Sequence, residues 1–332
     1  MNKLRVGVVG LGYFGERHAR IYHRLAHVDL VAVCDRDDAR AKRIASNLGA
    51  EAYTDFRALL ARPDIDAVSI CMPDREHTDV AVAAAEAKKA ILLEKPLAHD
   101  TAHARTIVDA VEKNGVRFMV GHILRFDPRY VQVYEASRPE KLGTPIHLKA
   151  KRNGIRGVAA RVGKNASILF YMGVHDIDAM QWVARSRIAR VYAQKIERLG
   201  NGNEDALYAV VNFENGAIGC LDYSWAWPDG LMNGYKAVLE IVGTRSAAFL
   251  DCSDQGFYEV LDDRVTGGDT HLWPEINGRI VGDLGDEITH FADALLTGAP
   301  FVQDYRDAFD AIPVLDALAE SARTGLPVDV QR

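Results

Sequence analysis

The feature that most constrains this chain is a glycine motif near its start, Gly10-Leu-Gly12-Tyr-Phe-Gly15. The motif ends the apolar segment Leu4–Gly10, which is typical of a buried β-strand, and it leads into a helical pattern. In a strand–turn–helix unit of this kind, the first glycine permits a tight turn and the third allows the helix to pack closely on the strand. The second lets a pyrophosphate approach the backbone at the helix N-terminus, where N–H groups favour anions. The motif therefore predicts a dinucleotide-binding turn.

An acidic residue at the end of the next strand supports this prediction. Asp35 follows Gly15 by 20 residues, where a carboxylate would accept hydrogen bonds from the adenosine ribose. The same charge would repel a 2′-phosphate, so NAD is favoured over NADP, although Arg36 would offset part of the repulsion. Tyr13 and Phe14, inside the motif, are further candidates for cofactor contact. The alternative interpretation is a Rossmann-like turn that binds no dinucleotide.

The first third of the chain alternates short apolar runs with alanine-rich helical segments. The runs are Leu4–Gly10, Leu30–Cys34, Ala67–Cys71, Ala90–Leu93 and Phe118–Gly121, and the helical segments include Ala39–Leu48, Asp79–Ala87 and Ala102–Asn114. Asp37 or Asp38 can cap the first of these helices, and Gly49 can end it. This rhythm predicts right-handed βαβ units, and hence a doubly wound parallel sheet covered on both faces.

The pattern changes after about residue 122, where the strands become longer and alternate apolar with polar residues. Leu207–Glu214 and Ala217–Trp225 are joined by Asn215-Gly216, a strong hairpin signal. Helical segments are predicted at Ala166–Ala184, Glu287–Leu296 and Asp307–Arg323. We therefore expect an α/β protein with a Rossmann domain over residues 1–122 and a second α/β domain over residues 123–332, built on a mostly antiparallel sheet.

Charge and composition exclude several classes of partner. The net charge of −6 gives no electrostatic reason to expect a nucleic acid or an anionic membrane. The sequence has no apolar run of the roughly 18 residues that a transmembrane helix needs. Its four cysteines, Cys34, Cys71, Cys220 and Cys252, are far apart. We expect them to be reduced core residues of a cytoplasmic protein rather than a disulfide framework or a zinc site.

Five motifs follow one another over about the first 185 residues. They are Val9-Gly10-Leu-Gly12-Tyr-Phe-Gly15, Cys71-Met-Pro73 with His77, Glu94-Lys95-Pro96, Gly121-His122-Ile-Leu-Arg125-Phe-Asp-Pro128 and Gly173-Val-His175-Asp-Ile-Asp178. In order and spacing they resemble the Gfo/Idh/MocA oxidoreductases, named for glucose–fructose oxidoreductase and inositol dehydrogenase. The resemblance implies a Rossmann domain followed by a domain with a large open sheet. It also implies that this sheet forms a subunit interface, in a homodimer or homotetramer.

The resemblance assigns the chemistry to Lys95 and His175. Lys95 follows an apolar strand at the carboxyl edge of the predicted sheet, where it could stabilise a developing alkoxide. A lysine of this kind could also be a plain surface residue, and Lys95–Pro96 is a candidate cis peptide bond. His175 is the expected general acid/base, with a buried structural histidine as the alternative. Met72, Pro73, His77, Glu94 and Lys95 itself are expected to contact the cofactor.

The expected substrate contacts are His122, Arg125, Tyr171 and Asp178. His122 and Arg125 correspond to positions that border the site in relatives. If Ala166–Ala184 is helical, Tyr171, His175, Asp178 and Trp182 share one face, and Asp178 could orient His175. Many relatives have Asp where this chain has Tyr171, and a tyrosine is a poor base near neutral pH. No second His or Cys cluster completes a coordination sphere around these residues, so no metal is predicted.

These observations predict an NAD-dependent dehydrogenase, or a reductase in the reverse direction, that acts on a secondary hydroxyl of a polyol, inositol, sugar or nucleotide-sugar. His175 would take the hydroxyl proton and Lys95 would stabilise the oxygen. Two alternatives remain open on the same fold. One is a glycosidase assisted by tightly bound NAD, and the other is a non-catalytic, NAD-dependent ligand sensor.

Overall fold

The structure is a computed structural model that describes residues 3–162, 167–200 and 202–331. The chain forms two compact units. The first unit comprises Met1–Ile123 and Leu272–Phe309, and the second comprises Leu124–His271 and Asp310–Arg332.

The first unit contains a six-stranded sheet in which every pair of neighbouring strands is parallel. The strands are β1 (Leu4–Val9), β2 (Val28–Cys34), β3 (Glu51–Tyr53), β4 (Ala67–Ile70), β5 (Ala90–Glu94) and β6 (Phe118–Gly121), in the order β3-β2-β1-β4-β5-β6. The helices of this part are α1 (Tyr13–Arg24), α2 (Asp38–Leu48), α3 (Phe56–Leu60), α4 (His77–Glu86) and α5 (Thr101–Asn114). This strand order is that of a dinucleotide-binding Rossmann sheet, so the predicted fold class is confirmed.

Local sequence signals set the ends of these elements. The Asp37 carboxylate accepts a hydrogen bond from the Arg40 backbone N–H at 3.0 Å and caps α2, and Gly49 ends that helix at φ 68°. Both features agree with the predicted boundaries. The short elements β3 and α3 were not predicted, because three- and five-residue segments carry too little periodicity to be recognised.

The segment 272–309 belongs to the first unit, although it lies far along the chain. It contains β15 (Glu275–Ile276), β16 (Arg279–Ile280) and α10 (Asp283–Thr297). The helix packs on α1 and β1 because Leu284, Ile288 and Phe291 form a buried apolar face. A single division at residue 122 therefore does not describe the compact units. The assignment of cofactor binding to 1–122 and of substrate binding and oligomerisation to 123–332 stays a prediction.

The second unit contains a seven-stranded mixed sheet in the order β12-β11-β7-β10-β9-β8-β17. Its strands are β7 (Pro145–Ile155), β8 (Ile188–Ile196), β9 (Ala206–Phe213), β10 (Ile218–Trp227), β11 (Tyr235–Gly243), β12 (Ala247–Asp251) and β17 (Val328–Asp329). Only β7 and β10 pair in parallel within this sheet, which confirms the mostly antiparallel prediction. Gly216, at φ 88°, turns the chain between β9 and β10 as the hairpin signal predicts. A separate hairpin pairs β13 (Tyr258–Val260) with β14 (Val265–Gly267).

The helices of the second unit are α6 (Pro128–Ala136), α7 (Pro139–Leu142), α8 (Arg156–Val162) and α9 (Val174–Ala184), and α11 (Tyr305–Thr324) precedes β17 near the end of the chain. The predicted helix over 166–184 is not one uniform α-helix. Ala166 lies outside the described residues, and Leu169–Gly173 forms a π-helical turn that leads into α9. The widened turn was not predictable, because side-chain periodicity does not reveal a local change in backbone hydrogen-bond register.

All four cysteines are free thiols. Cys34 and Cys252 are buried and Cys71 is half-buried, but Cys220 is exposed. The prediction of a core position for Cys220 was wrong, because Cys220 alternates with the buried Leu221 and points to the other face of β10.

No helix in the described part of the chain combines the length and the apolar character needed to cross a membrane.

Candidate functional site

The predicted residues of the first unit lie at one edge of its sheet. Gly10, Asp35, Lys95 and His122 directly follow the carboxyl ends of β1, β2, β5 and β6. Since all these strands are parallel, their carboxyl ends meet at the same edge, where open α/β sheets bind ligands. Along this edge, the strand order changes direction between β1 and β4.

The glycine turn has the shape that a pyrophosphate requires. Gly10 has φ 84°, and a Cβ there would lie 2.6 Å from the carbonyl oxygen of Cys71. A Cβ on Gly15 would lie 1.7 Å from the carbonyl oxygen of Gly10, so the close approach of α1 to β1 demands glycine. A Cβ on Gly12 would meet no atom within 4 Å. The first and third glycines are therefore needed by the fold itself, whereas the second faces open space.

The N-terminus of α1 borders that open space. Gly12 is the N-cap of this 12-residue helix, and no side chain caps it. The N–H groups of the first turn and the positive end of the helix dipole favour an anion at this point. The observed backbone thus fits the diphosphate of a dinucleotide.

Asp35 is buried and firmly held. Its Oδ2 accepts a hydrogen bond from the Leu11 N–H at 2.8 Å, and its Oδ1 accepts one from the Asp37 N–H at 2.9 Å. The Arg40 guanidinium lies 3.2 Å and 3.3 Å from the two oxygens. Burial acts to raise the pKa of Asp35, but these hydrogen bonds outweigh burial and hold the pKa below its usual value. The carboxyl group is therefore ionised at neutral pH.

The aromatic residues of the glycine motif meet a residue that was not predicted. Trp273 Nε1 donates a hydrogen bond to the Tyr13 hydroxyl at 3.1 Å. The Trp273 ring also contacts Phe14 edge-on, with ring centroids 5.1 Å apart. No local signal connects positions 260 residues apart, so only the folded chain could reveal this contact.

Lys95 is half-buried directly after β5, and the bond from Lys95 to Pro96 is cis, as predicted. The neighbouring Glu94 is buried, with Oε1 3.1 Å from His18 Nε2 and Oε2 accepting the Lys95 backbone N–H at 3.2 Å. Although burial acts to raise the pKa of Glu94, the hydrogen bond and charge of His18 and the charge of Lys95 hold it below its usual value. Glu94 therefore fixes the loop that carries Lys95, and its contact with a cofactor stays a prediction.

His77 ties two predicted cofactor segments together. Its Nδ1 lies 2.9 Å from the carbonyl oxygen of Pro96 and its Nε2 lies 2.8 Å from that of Met72. The ring is fully buried, and burial lowers its pKa, so it is neutral at pH 7 and donates to one carbonyl at a time. This geometry gives His77 a positioning role between the two loops. Met72 is half-buried and Pro73 is exposed.

One histidine and two glutamates form a buried cluster next to the loop that carries Lys95. His18, Glu94 and Glu287 each bring one ligand-type atom within 4.8 Å of the others. Glu287 is fully buried, and neither of its oxygens has a hydrogen-bond partner in the described chain. Burial, reinforced by the charges of Glu94 and Asp283, raises the pKa of Glu287 well above its usual value. The cluster was not predicted, although one signal existed, since Glu287 lies beside the apolar residues Leu284, Ile288 and Phe291 on the buried face of α10.

In the second unit, Arg125 and Asp178 form a buried two-point ion pair. Arg125 Nε lies 3.0 Å from Asp178 Oδ2, and Nη2 lies 2.7 Å from Oδ1. The Arg125 guanidinium also lies over the Trp182 ring, 4.9 Å from its centroid. Asp178 and Trp182 therefore share one side of α9, as their spacing predicts. Arg125 takes one acceptor position on each Asp178 oxygen, and the expectation that Asp178 orients His175 stays a prediction.

His175 and Tyr171 are both half-buried. His175 lies in the first turn of α9, and Tyr171 lies in the π-helical turn, with its ring centroid 6.2 Å from that of Trp225. Turns of this kind occur frequently at functional sites. The intervening Asp176 points elsewhere, into a buried ion pair in which Arg152 Nη2 lies 2.8 Å from Asp176 Oδ1.

Comparison with known proteins identifies the family. Residues 4–122 match the oxidoreductase family GFO/IDH/MocA, described as an NAD-binding Rossmann fold, and residues 130–248 match the C-terminal domain of GFO/IDH/MocA proteins. An uncharacterised oxidoreductase, YrbE of Bacillus subtilis, is 30% identical over 98% of this chain and 96% of its own length. The chain belongs to the Gfo/Idh/MocA family. It is thus an oxidoreductase with an NAD-binding Rossmann domain, and the predicted resemblance is confirmed.

Two further proteins extend the comparison. The inositol 2-dehydrogenase of Rubrobacter xylanophilus is 30% identical over 99% of this chain and 94% of its own length. Among solved structures, GenD2 from gentamicin A biosynthesis, in complex with NAD, is 25% identical with a TM-score of 0.84. That comparison covers 100% of this chain and 97% of GenD2. Both comparisons span nearly the whole chain and agree with the family assignment.

Proposed function

We propose that this protein is an NAD-dependent dehydrogenase that oxidises a secondary hydroxyl of a polyol, with an inositol as the first substrate to test. The observation that carries the cofactor assignment is the open space at Gly12, beside the ionised carboxylate of Asp35. The dehydrogenase named for inositol, 30% identical over nearly the whole chain, supports the substrate class. Bound NAD would supply the acceptor for the hydride that leaves the substrate carbon.

The glycine turn and Asp35 would hold the cofactor. The N–H groups at the start of α1 would bind the diphosphate, and the Asp35 carboxylate would accept hydrogen bonds from the ribose hydroxyls. His77 and Glu94 would support the cofactor site indirectly, because their hydrogen bonds to the backbone hold the loops of Met72 and Lys95 in place.

Lys95 is proposed to stabilise the substrate oxygen. Its ammonium group would donate a hydrogen bond to the hydroxyl that is oxidised, and this bond strengthens as the oxygen gains negative charge. The hydrogen bond from its backbone N–H to the Glu94 carboxylate keeps the Lys95 backbone in one place. Preorganisation of this kind lowers the cost of orienting the charge during the reaction.

His175 is proposed to take the hydroxyl proton at an imidazole nitrogen. Tyr171 offers a hydrogen-bond donor but a poor base near neutral pH, so the proton transfer depends on the imidazole. His122, Arg125, Tyr171 and Asp178 remain the proposed substrate neighbours. Because Arg125 holds both oxygens of Asp178, this pair would act as one rigid element.

The deciding experiment measures NADH absorbance with a panel of inositols, sugars and nucleotide-sugars, each with NAD and with NADP. Steady formation of NADH with an inositol or a related polyol would support the proposal. Cleavage of a glycoside without net NADH formation would favour the NAD-assisted glycosidase. Ligand binding without any turnover would favour the sensor.

We further propose that the protein is a homo-oligomer whose interface is the outer face of the second unit's sheet. Cross-strand pairing places Tyr192 beside Val210, and Val210 beside Cys220, on one face. This face exposes 60% of Tyr208, 48% of Val210 and, further along the sheet, 69% of Phe249. Exposed apolar side chains on one face of a sheet are typical of a subunit interface.

Light scattering coupled to gel filtration tests this interface. A dimer or tetramer is expected for the wild type, and Val210→Asp should shift the protein towards the monomer. The matched control is Val260→Asp, because Val260 is also exposed but lies on the separate β13–β14 hairpin. A monomeric wild type would refute the proposal.

A further inference from the structure

We infer that Arg40 determines the cofactor specificity of this protein, and that it relaxes the preference for NAD far enough for NADP to bind as well. The inference rests on the proposed cofactor site at Asp35. Arg40 lies in the first turn of α2, and its Nη1 bridges the two oxygens of Asp35 at 3.2 Å and 3.3 Å. The glycine motif and Asp35 predict a preference for NAD, and that prediction does not include this contact.

The first argument concerns hydrogen-bond acceptors. A carboxylate has about four lone-pair positions. In Asp35, the Leu11 and Asp37 backbone N–H groups take one position on each oxygen, and Arg40 lies against both oxygens. The 2′- and 3′-hydroxyls of the adenosine ribose would need the positions that Arg40 holds. Arg40 therefore competes with the contact by which an acidic residue selects NAD.

The second argument concerns charge. An isolated carboxylate excludes a 2′-phosphate by repulsion, but here a guanidinium 3.2 Å from Asp35 Oδ2 offsets that negative charge. Arg36, the residue after Asp35, supplies a second guanidinium. It pairs with Glu76 at 2.7 Å, and its side chain is 77% exposed. Exposed pairs of this kind contribute only about 0–1 kcal/mol, so a phosphate could take the place of Glu76. Guanidinium groups bind phosphate oxygens in a two-point geometry, which favours these two arginines as phosphate ligands.

A purely structural role for Arg40 makes the opposite prediction. If Arg40 only held the Asp35 carboxylate in position for the ribose, its loss would weaken NAD binding. If Arg40 competes with the ribose and attracts phosphate, its loss would leave NAD binding unchanged or stronger and would weaken NADP binding. The sign of the change in NAD affinity separates the two roles.

The test is a fluorescence titration of the full-length protein with NADH and with NADPH, which needs no polyol substrate. The wild type should bind both cofactors. Arg40→Gln keeps much of the side-chain length but removes the charge, and it should raise the ratio of the NADPH to the NADH dissociation constant about tenfold or more. Arg40→Lys keeps the charge and should restore much of the wild-type ratio.

Lys42→Gln is the matched control. It removes one positive charge from the same helix, but Lys42 pairs with Asp38 at the surface, at 2.8 Å, and not with Asp35. The ratio for this variant should stay within about twofold of the wild type. A ratio that changes equally in both glutamine variants would show only a general charge effect and would overturn the inference.

Two further results would also overturn it: weaker NADH binding by Arg40→Gln, or a wild type that binds NADH but not NADPH. In both cases the proposed dehydrogenase would stand, since NADH binding itself is retained in the wild type. Conversely, a chain that binds both cofactors with the expected ratios but oxidises no polyol would leave the role of Arg40 intact. That result would refute the proposed function alone.

Discussion

Replacing Gly12 with alanine adds one methyl group at a point where no atom outside the adjoining backbone lies within 4 Å. The backbone there has φ −67°, which alanine adopts without strain. A glycine-to-alanine change at a compatible position stabilises a protein by about 0.4–1 kcal/mol, because the unfolded chain loses freedom. In a unit of 150–250 residues this is a rise in Tm of about 1–4 °C. The apo protein should therefore be as stable as the wild type or slightly more stable.

The same methyl group would occupy the space through which a pyrophosphate reaches the backbone. Overpacking of this size costs about 1–3 kcal/mol. We therefore expect the NADH dissociation constant to rise about 5- to 150-fold. Thermal unfolding of the apo protein and a fluorescence titration with NADH measure the two effects separately. Unchanged NADH affinity in a stable variant would refute the assignment of Gly12 to the diphosphate.

Gly15→Ala is the matched contrast to this variant. Its new Cβ would lie 1.7 Å from the Gly10 carbonyl oxygen, so α1 and β1 would have to separate by more than 1 Å. Real Cβ contacts essentially never fall below 3.0 Å. This variant should lose thermal stability before any question of cofactor affinity arises, and a Tm close to that of the wild type would contradict the observed packing.

Three further predictions concern single side chains. His175→Ala should lower turnover about 10²-fold or more with little change in NADH affinity, since proton transfer of this kind contributes ~10²–10⁴; near-normal steady-state kinetics would point to another base. Lys95→Met, which keeps the apolar stem, should lower kcat and kcat/KM together, whereas a rise in KM alone would make Lys95 a binding residue. The pKa of Glu287 is raised in the folded protein, so protonated Glu287 stabilises the fold. This contribution to the free energy of unfolding is fully present below the unfolded pKa of about 4.3. It is lost as the pH rises towards the folded pKa, by up to ~1.4 kcal/mol per pH unit. Glu287→Gln should remove this part of the pH dependence, and parallel curves of Tm against pH for the two proteins would show that Glu287 is ionised.

Local sequence signals determined the parallel sheet and the glycine turn. Strands buried on both faces appear as continuous apolar runs, and the cap residues Asp37 and Gly49 act on the adjacent helix, so no distant contact is needed to recognise them. The turn itself depends on steric conflicts at Gly10 and Gly15 that arise within one strand–turn–helix unit and with the neighbouring strand. For this reason the sequence could place the predicted cofactor residues at one sheet edge.

Only the tertiary structure decided which charges meet. Arg125 reaches Asp178 across 53 residues, and Glu287 reaches the cluster of Glu94 and His18 because α10 returns to the first unit. Arg40 was visible as a helical residue, but its hold on Asp35 depends on the angle at which α2 leaves β2. The energy of an ion pair depends on separation and burial in three dimensions, and residue spacing along the chain specifies neither of these for distant positions.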